Sequence, residues 1–131
     1  MALIAKLLLE GNEYSVMECD YEFTQEIDIT GRPSDRPRGG IINIVLMSPD
    51  DNDLMIHQWM SEKDATKDGT ILLYVNHNSV NAPKTIEFTN GYCIKLYEYF
   101  NDNNAMPMYL KISIMASSIV FGGQCEFKMI D

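Results

Sequence analysis

A chain of 131 residues that is 46% apolar can fill one core without a metal or disulfide staple, so a single domain over residues 1–131 is expected. Its formal charge of -9 repels phosphate backbones and anionic membranes, which excludes nucleic acid and membrane insertion from the expected partners. Cys19, Cys93 and Cys125 are odd in number and widely spaced, so three reduced thiols packed as small hydrophobes are expected rather than a disulfide framework.

The first ten residues carry Lys6 inside a short apolar run, with no basic leader and no small-residue cleavage signature, so no Sec-type signal is expected. No run approaches the ~20 apolar residues of a spanning helix, and a soluble chain follows as the expectation. Residues 2–9 read as a strand, and Gly11-Asn12 suits a two-residue hairpin turn because both tolerate positive φ. The next apolar positions are Tyr14 and Val16, then the phase slips to Met17, Cys19, Tyr21 and Phe23, which predicts a bulge at Val16 and Met17. The same phase runs on through Ile27 and Ile29, so the second strand is expected to reach residue 29.

Residues 30–40 contain two prolines and three glycines, a composition that stops regular structure. They read either as a projecting arm or as a plain surface connection. Ile41 to Met47 is apolar at nearly every position and predicts a strand covered on both faces. Ser48-Pro49-Asp50-Asp51 has the cap, proline and acid order of a helix start, and Met55, Ile56, Trp59 and Met60 supply the buried stripe. Lys63 and Lys67 are expected to complement the carbonyl end of that helix or the segment just after it, and Gly69 to close the connection.

Strands are then expected over residues 70–76, 84–90, 92–100 and 107–115, the middle two read either as separate strands or as one ribbon with a kink or bulge at Gly91. Ile119 to Phe121 and Cys125 to Ile130 form a last hairpin across Gly122-Gly123. Seven or eight strands with one helix predict a mainly β fold, a small antiparallel β-barrel of two packed sheets with one flanking α-helix.

The residues that carry catalysis elsewhere do not assemble here. His57 and His77 are too few and too separated for a metal cage or a nucleophile-base pair, so no catalytic, cofactor-binding or metal residue is nominated and no enzyme is expected. Asp50-Asp51-Asn52-Asp53 lacks the glycine and the later glutamate of a calcium loop and reads as helix-dipole chemistry. The glycines between Gly31 and Gly40 match no phosphate-binding spacing.

Charge segregation remains to be explained. Every arginine, Arg32, Arg36 and Arg38, falls in one seven-residue window, whereas the segment from Glu13 to Asp28 holds six acids, including Glu18, Asp20 and Glu22, and no base. A cationic arm on an acidic protein is best complemented by the acidic strand of a second copy, and opposite charges on different faces favour head-to-tail rings or stacks.

Four segments then carry a resemblance: the opening strand pair from Ala2 to Phe23, Thr30-Gly31-Arg32-Pro33-Ser34 followed by Gly39-Gly40, the helix ending in Gln58-Trp59-Met60, and Gly91-Tyr92-Cys93. In order and spacing the chain resembles the haemolysin-coregulated protein family, inner-tube subunits of the type VI secretion system, in the short form of the Bacteroidetes lineage. The resemblance implies a homohexameric ring, rings stacked into a hollow tube, a sheath, a baseplate and a spike protein as partners, effector cargo in the lumen, no cofactor, and assembly in the cytoplasm before secretion without a signal peptide. It places Arg32, Arg36 and Arg38 at the contact between rings; taken with the charge pattern, Gly31, Pro33 and Ser34 are expected in the same contact and Glu18, Asp20 and Glu22 as its acidic complements. The segment from Cys125 to Asp131 departs from the polar tail of that family. Two other readings stand beside this one: a tail-tube protein of a phage or related contractile particle, and a monomeric barrel that binds a small apolar ligand.

Overall fold

A computed structural model describes residues 4–34, 38–49, 52–74, 83–103 and 108–128. Strand β1 (Ile4–Leu9) and strand β2 (Asn12–Asp20) form the opening hairpin. Leu9 pairs with Asn12, so the turn is Glu10-Gly11, one residue earlier than expected, with both residues at positive φ (50° and 84°). That geometry suits the right-handed twist of the flanking strands. The expected bulge is present. Val16 pairs with Leu46 and Glu18 with Val45, which leaves Met17 as the extra residue of β2.

β2 does not continue to residue 29. It ends at Asp20, and a two-residue strand β3 (Phe23–Thr24) pairs instead with β4 (Arg38–Gly39) as a separate small sheet. The odd-numbered apolar phase that suggested one long strand belongs to two structures: Cys19, Tyr21 and Phe23 pack against the core, whereas Ile27 and Ile29 are exposed. Local periodicity cannot tell these apart, because it records the pleat and not what covers it.

Strand β5 (Ile42–Met47) buries Ile42, Ile44 and Leu46, each contributing roughly 1.5–3 kcal/mol by removal from water. Its other face carries Asn43 and Met47 to the surface and half-covers Val45, so the expectation of burial on both faces fails within one chain. The helix α1 (Met55–Ser61) starts well after Ser48. Ser48 donates its hydroxyl to Glu98 Oε2 at 2.9 Å rather than capping the helix, and Asp53 Oδ1 accepts the Met55 N–H at 3.2 Å. Asp50 and Asp51 lie outside the described residues. Ile56 and Trp59 form the buried face, while Met60 is exposed.

Strand β6 (Lys67–Tyr74) includes both Lys67 and Gly69. Lys67 is therefore not at the helix end, and its ammonium donates to Glu10 Oε1 at 2.9 Å. The segments on either side of Gly91 form one continuous strand, β7 (Lys84–Phe100), of 17 residues. Its first half pairs with β6, and its second half pairs with β8 (Met108–Met115). The last hairpin, β9 (Ser118–Phe121) and β10 (Cys125–Lys128), attaches to the first half of β7. Residues 2–3, 75–76, Pro107 and residues 129–130, expected in strands, lie outside the described residues.

The pairing β7-β6-β1-β2-β5-β8, with β8 returning to β7, closes a six-stranded barrel. Length is what permits closure, since β7 spans roughly 56 Å at about 3.3 Å per residue and serves both barrel walls. The expected irregularity at Gly91 is a pair of register shifts on either side of it, with Asn90 at φ 53°. A Cβ on Gly91 would lie 2.8 Å from Ile114 and 2.9 Å from the Phe88 ring, and one on Gly69 would lie 2.5 Å from the same ring. Phe88 is thus seated between two glycines, a fit that no larger residue allows. The Trp59 indole N–H donates to the Gly91 carbonyl at 3.1 Å and fixes α1 to β7. No helix among the described residues is long and apolar enough to cross a membrane.

Candidate assembly surface

Residues 25–34 leave the barrel as a self-paired hairpin. Ile27 bridges Pro33, Ser34 N–H donates to the Glu26 carbonyl at 2.8 Å, and Asp28 N–H donates to the Arg32 carbonyl at 2.8 Å. The tip is ordered by Asp28, whose Oδ1 accepts from Thr30 N–H at 2.9 Å, Thr30 Oγ1 at 2.6 Å and Arg32 N–H at 3.1 Å. The Thr30 hydroxyl, then the Arg32 N–H, hold this carboxyl below the usual aspartate range. Gly31 supplies the left-handed turn at φ 88°. All of residues 24–34 are exposed, and Ile29 is fully so.

The expected contact residues therefore divide. Gly31, Arg32, Pro33 and Ser34 form the tip and returning leg of this hairpin. Arg38 lies at the base, in β4, and Arg36 lies outside the described residues. Gly39, at φ 108°, follows Arg38, and a Cβ there would stand 2.5 Å from the Glu22 carbonyl oxygen. That carbonyl accepts the Gly40 N–H at 2.7 Å, so Glu22 and Gly40 fasten the base through backbone alone.

Side chains lock the same base to the end of the barrel. Tyr21, Phe23, Phe121 and Phe127 form one aromatic cluster, with Phe23 and Phe127 stacked at 4.1 Å and Tyr21 and Phe121 at 5.1 Å. The last hairpin supplies two of the four rings, Phe121 and Phe127. Sequence reading missed Phe121 and Phe127 because they lie about a hundred residues from Phe23, and nothing local links them.

Glu18 and Asp20 lie on the outer face of the sheet β2-β5-β8-β7, where Asp20 lines a concavity that reaches Glu22, Gly39 and Gly40 at the arm's base. There Asp20, Asn43, Ser113 and Lys95 align by strand register in one row, and Glu18, Val45, Lys111 and Tyr97 align in the next. Asn43 Nδ2 donates to Asp20 Oδ1 at 2.9 Å, and Ser113 Oγ donates to Asn43 Oδ1 at 2.6 Å, so the first row is linked across three strands. The Lys111 ammonium stands 5.7 Å from the Tyr97 ring centroid and 5.8 Å from that of Tyr109. Lys95, Lys111, Asn43 and Ser113 were not singled out from sequence, although the alternation of Lys111 and Ser113 with Leu110 and Ile112 marks them as outward-facing.

The groups tested for chemistry have structural settings. Burial raises the Cys93 thiol to about 11, and burial, then the charge of Asp20, raises Cys19 to about 11, so both stay protonated near neutrality. Cys125 is exposed, contrary to the expectation that all three thiols are buried. His57 is half-buried with Nε2 3.3 Å from Glu98 Oε1, and the same carboxylate holds Ser48. His77 lies outside the described residues. Among the described residues no three His, Cys, Asp or Glu side chains gather as a metal site.

The comparisons with known proteins agree with this architecture. The family model described as Hemolysin coregulated protein Hcp (TssD) matches residues 1–128. The structure of Hcp1 from Flavobacterium johnsoniae is 33% identical over 95% of this chain and 98% of its own, with a TM-score of 0.81. The secreted protein Hcp3 from Pseudomonas aeruginosa is 9% identical over 99% of this chain and 100% of its own, with a TM-score of 0.68, and shares the fold. The sheath/tube terminator of an extracellular contractile injection system, PVC, is more distant, at 16% identity over 89% of this chain and 91% of its own and a TM-score of 0.52. A search of curated proteins found no match. A barrel with this strand order, a whole-chain family match and a one-third-identical relative of the same length establish that the chain belongs to the haemolysin-coregulated protein (TssD) family and is a tube subunit of the type VI secretion system.

Proposed function

We propose that copies of this chain close into hexameric rings that stack into a hollow tube, and that the 25–40 arm makes the contact from one ring to the next. The observation that carries this reading is the arm itself: a hydrogen-bonded hairpin that leaves two large apolar residues on the surface, Ile27 at 65% and Ile29 at 100% exposure. Order without burial is costly for a free surface loop and suits an element that docks elsewhere. Arg32, Arg36 and Arg38, with Gly31, Pro33 and Ser34, are the arm's contribution, and Glu22 is an acid beside its base. Surface ion pairs are worth about 0–1 kcal/mol each, but six copies engage together around a ring.

Assembly in the cytoplasm, enclosure by a sheath on a baseplate, a spike at the tip and effectors in the lumen follow as parts of the same reading, with export by the contractile machine instead of a signal peptide. The role is structural rather than catalytic. Negative-stain electron microscopy tests it: the purified protein forms rings and tubes, and Arg32→Glu with Arg36→Glu keeps the rings while shortening or abolishing the tubes. Tubes of normal length from that variant overturn the arm's assignment, and a wild-type protein that stays monomeric at high concentration overturns the tube reading.

A further inference from the structure

The outer face of the sheet β2-β5-β8-β7 is charged with opposite signs on its two flanks. Glu18 and Asp20 stand on the β2 flank, Lys111 on β8 and Lys95 on the β7 flank, and all four side chains are exposed. Strand register sets their separation within one chain. Between backbones, Asp20 is three strands from Lys95, about 14 Å, and Glu18 is two strands from Lys111, about 10 Å, and the four residues line one shallow concavity. Among the described residues neither carboxylate has a cationic partner, and neither lysine has a carboxylate partner. The groups are nevertheless positioned: Asn43 holds Asp20, and the rings of Tyr97 and Tyr109 flank Lys111.

Apolar residues are interspersed with these charges. Ile94 is 46% and Tyr97 45% exposed on the lysine side, and Met17 is 44% exposed beside Glu18. A neighbour covering either flank would remove water from both kinds of residue, and the charges then decide which neighbour fits. A two-fold contact of either flank with itself sets acid on acid or base on base. A rotation that repeats the same step from copy to copy sets the β2 flank of one against the β7 flank of the next, and that is the contact from which a closed ring is built.

We infer that Glu18 and Asp20 of one copy meet Lys95 and Lys111 of the adjacent copy within the same ring, so that this charge joint sets the head-to-tail order of subunits. The inference rests on the ring reading above and assigns Glu18 and Asp20 to the joint within a ring, leaving Glu22 for the arm. It separates two classes of contact: the flanks of one sheet face hold neighbours within a ring, and the arm holds ring to ring.

Charge reversal tests it, read by mass photometry and light scattering across a dilution series. Lys95→Glu with Lys111→Glu raises the concentration for half-maximal ring formation by at least about tenfold, and so does Glu18→Lys with Asp20→Lys. The fourfold variant carrying both reversals restores rings, since the flanks again oppose each other. Mixing the two double variants gives rings in which they alternate. Thermal melts confirm that each variant is folded, as expected for exposed positions. Rings of wild-type affinity from either double variant overturn the joint, as does a folded fourfold variant that stays dissociated. Wild-type protein without rings overturns the tube reading instead, so the two failures are distinct.

Discussion

Phe127 of β10 stacks on Phe23 of β3 with ring centroids 4.1 Å apart and planes 18° from parallel. The last hairpin thereby grips the base of an arm that enters the chain a hundred residues earlier, and Tyr21 and Phe121 extend the grip into the barrel. The arm's direction is consequently a tertiary property. Its own hydrogen bonds shape the tip but do not orient it.

Phe127→Ala removes the stack on Phe23 and the edge contact with Phe121, each worth about 0.5–1.5 kcal/mol beyond area, so about 1–3 kcal/mol of stability is lost. The larger consequence is expected in assembly. Rings persist, because the barrel is unchanged, while tube length in electron micrographs falls; tubes of wild-type length with unchanged denaturant midpoint would show that the cluster does not position the arm.

Asp28 gives a pH dependence with a definite sign. Its folded value lies below the ordinary 3.8, mainly through the Thr30 hydroxyl, so its contribution to arm order is complete above 3.8 and is lost as the pH falls through the folded value. Tube length is therefore flat across neutral pH and drops only in strong acid. Asp28→Asn, which keeps one acceptor oxygen but not the charge, shortens tubes at pH 7 and removes the acid dependence that arises from this site. A variant indistinguishable from wild type in both respects contradicts this account.

Trp59→Phe keeps one aromatic ring but removes the rest of the buried indole and leaves the Gly91 carbonyl without its donor. Loss of a buried partner costs about 1–3 kcal/mol, visible as a lower urea midpoint with an unchanged slope. A shift below about 0.5 kcal/mol would mean that the helix is held by packing alone.

Thiol reactivity separates the three cysteines. With Cys19 and Cys93 raised to about 11, only Cys125, exposed on β10, is alkylated quickly by iodoacetamide in the dissociated subunit at pH 7.5 or roughly so. Peptide mapping after brief labelling reads this directly, and comparable modification of Cys93 would show that the barrel wall opens readily.

Legibility followed range. The bulge at Met17 was readable because a phase slip is a local event, and the last hairpin because Gly122-Gly123 sits between two short β segments. The helix start misled for a physical reason: Ser48 looks like a cap, yet its hydroxyl bonds Glu98 fifty residues away, and a distant acceptor leaves no local trace. Ile41 to Met47 looked doubly buried because apolar composition does not say whether the second covering comes from the same chain.

By itself the sequence determined the β class, the helix around Trp59, an irregular segment over residues 30–40 and the segregation of its arginines, because pleat, turn and helix periodicities are properties of neighbouring residues. Only the tertiary structure decided that β7 serves two walls and closes the barrel, that four aromatic rings from distant strands clamp the arm, and that Asp20 and Lys95 stand on opposite flanks of one face. Each of those depends on which strand lies beside which, and strand pairing is set by burial and register across the whole chain rather than by any stretch of it.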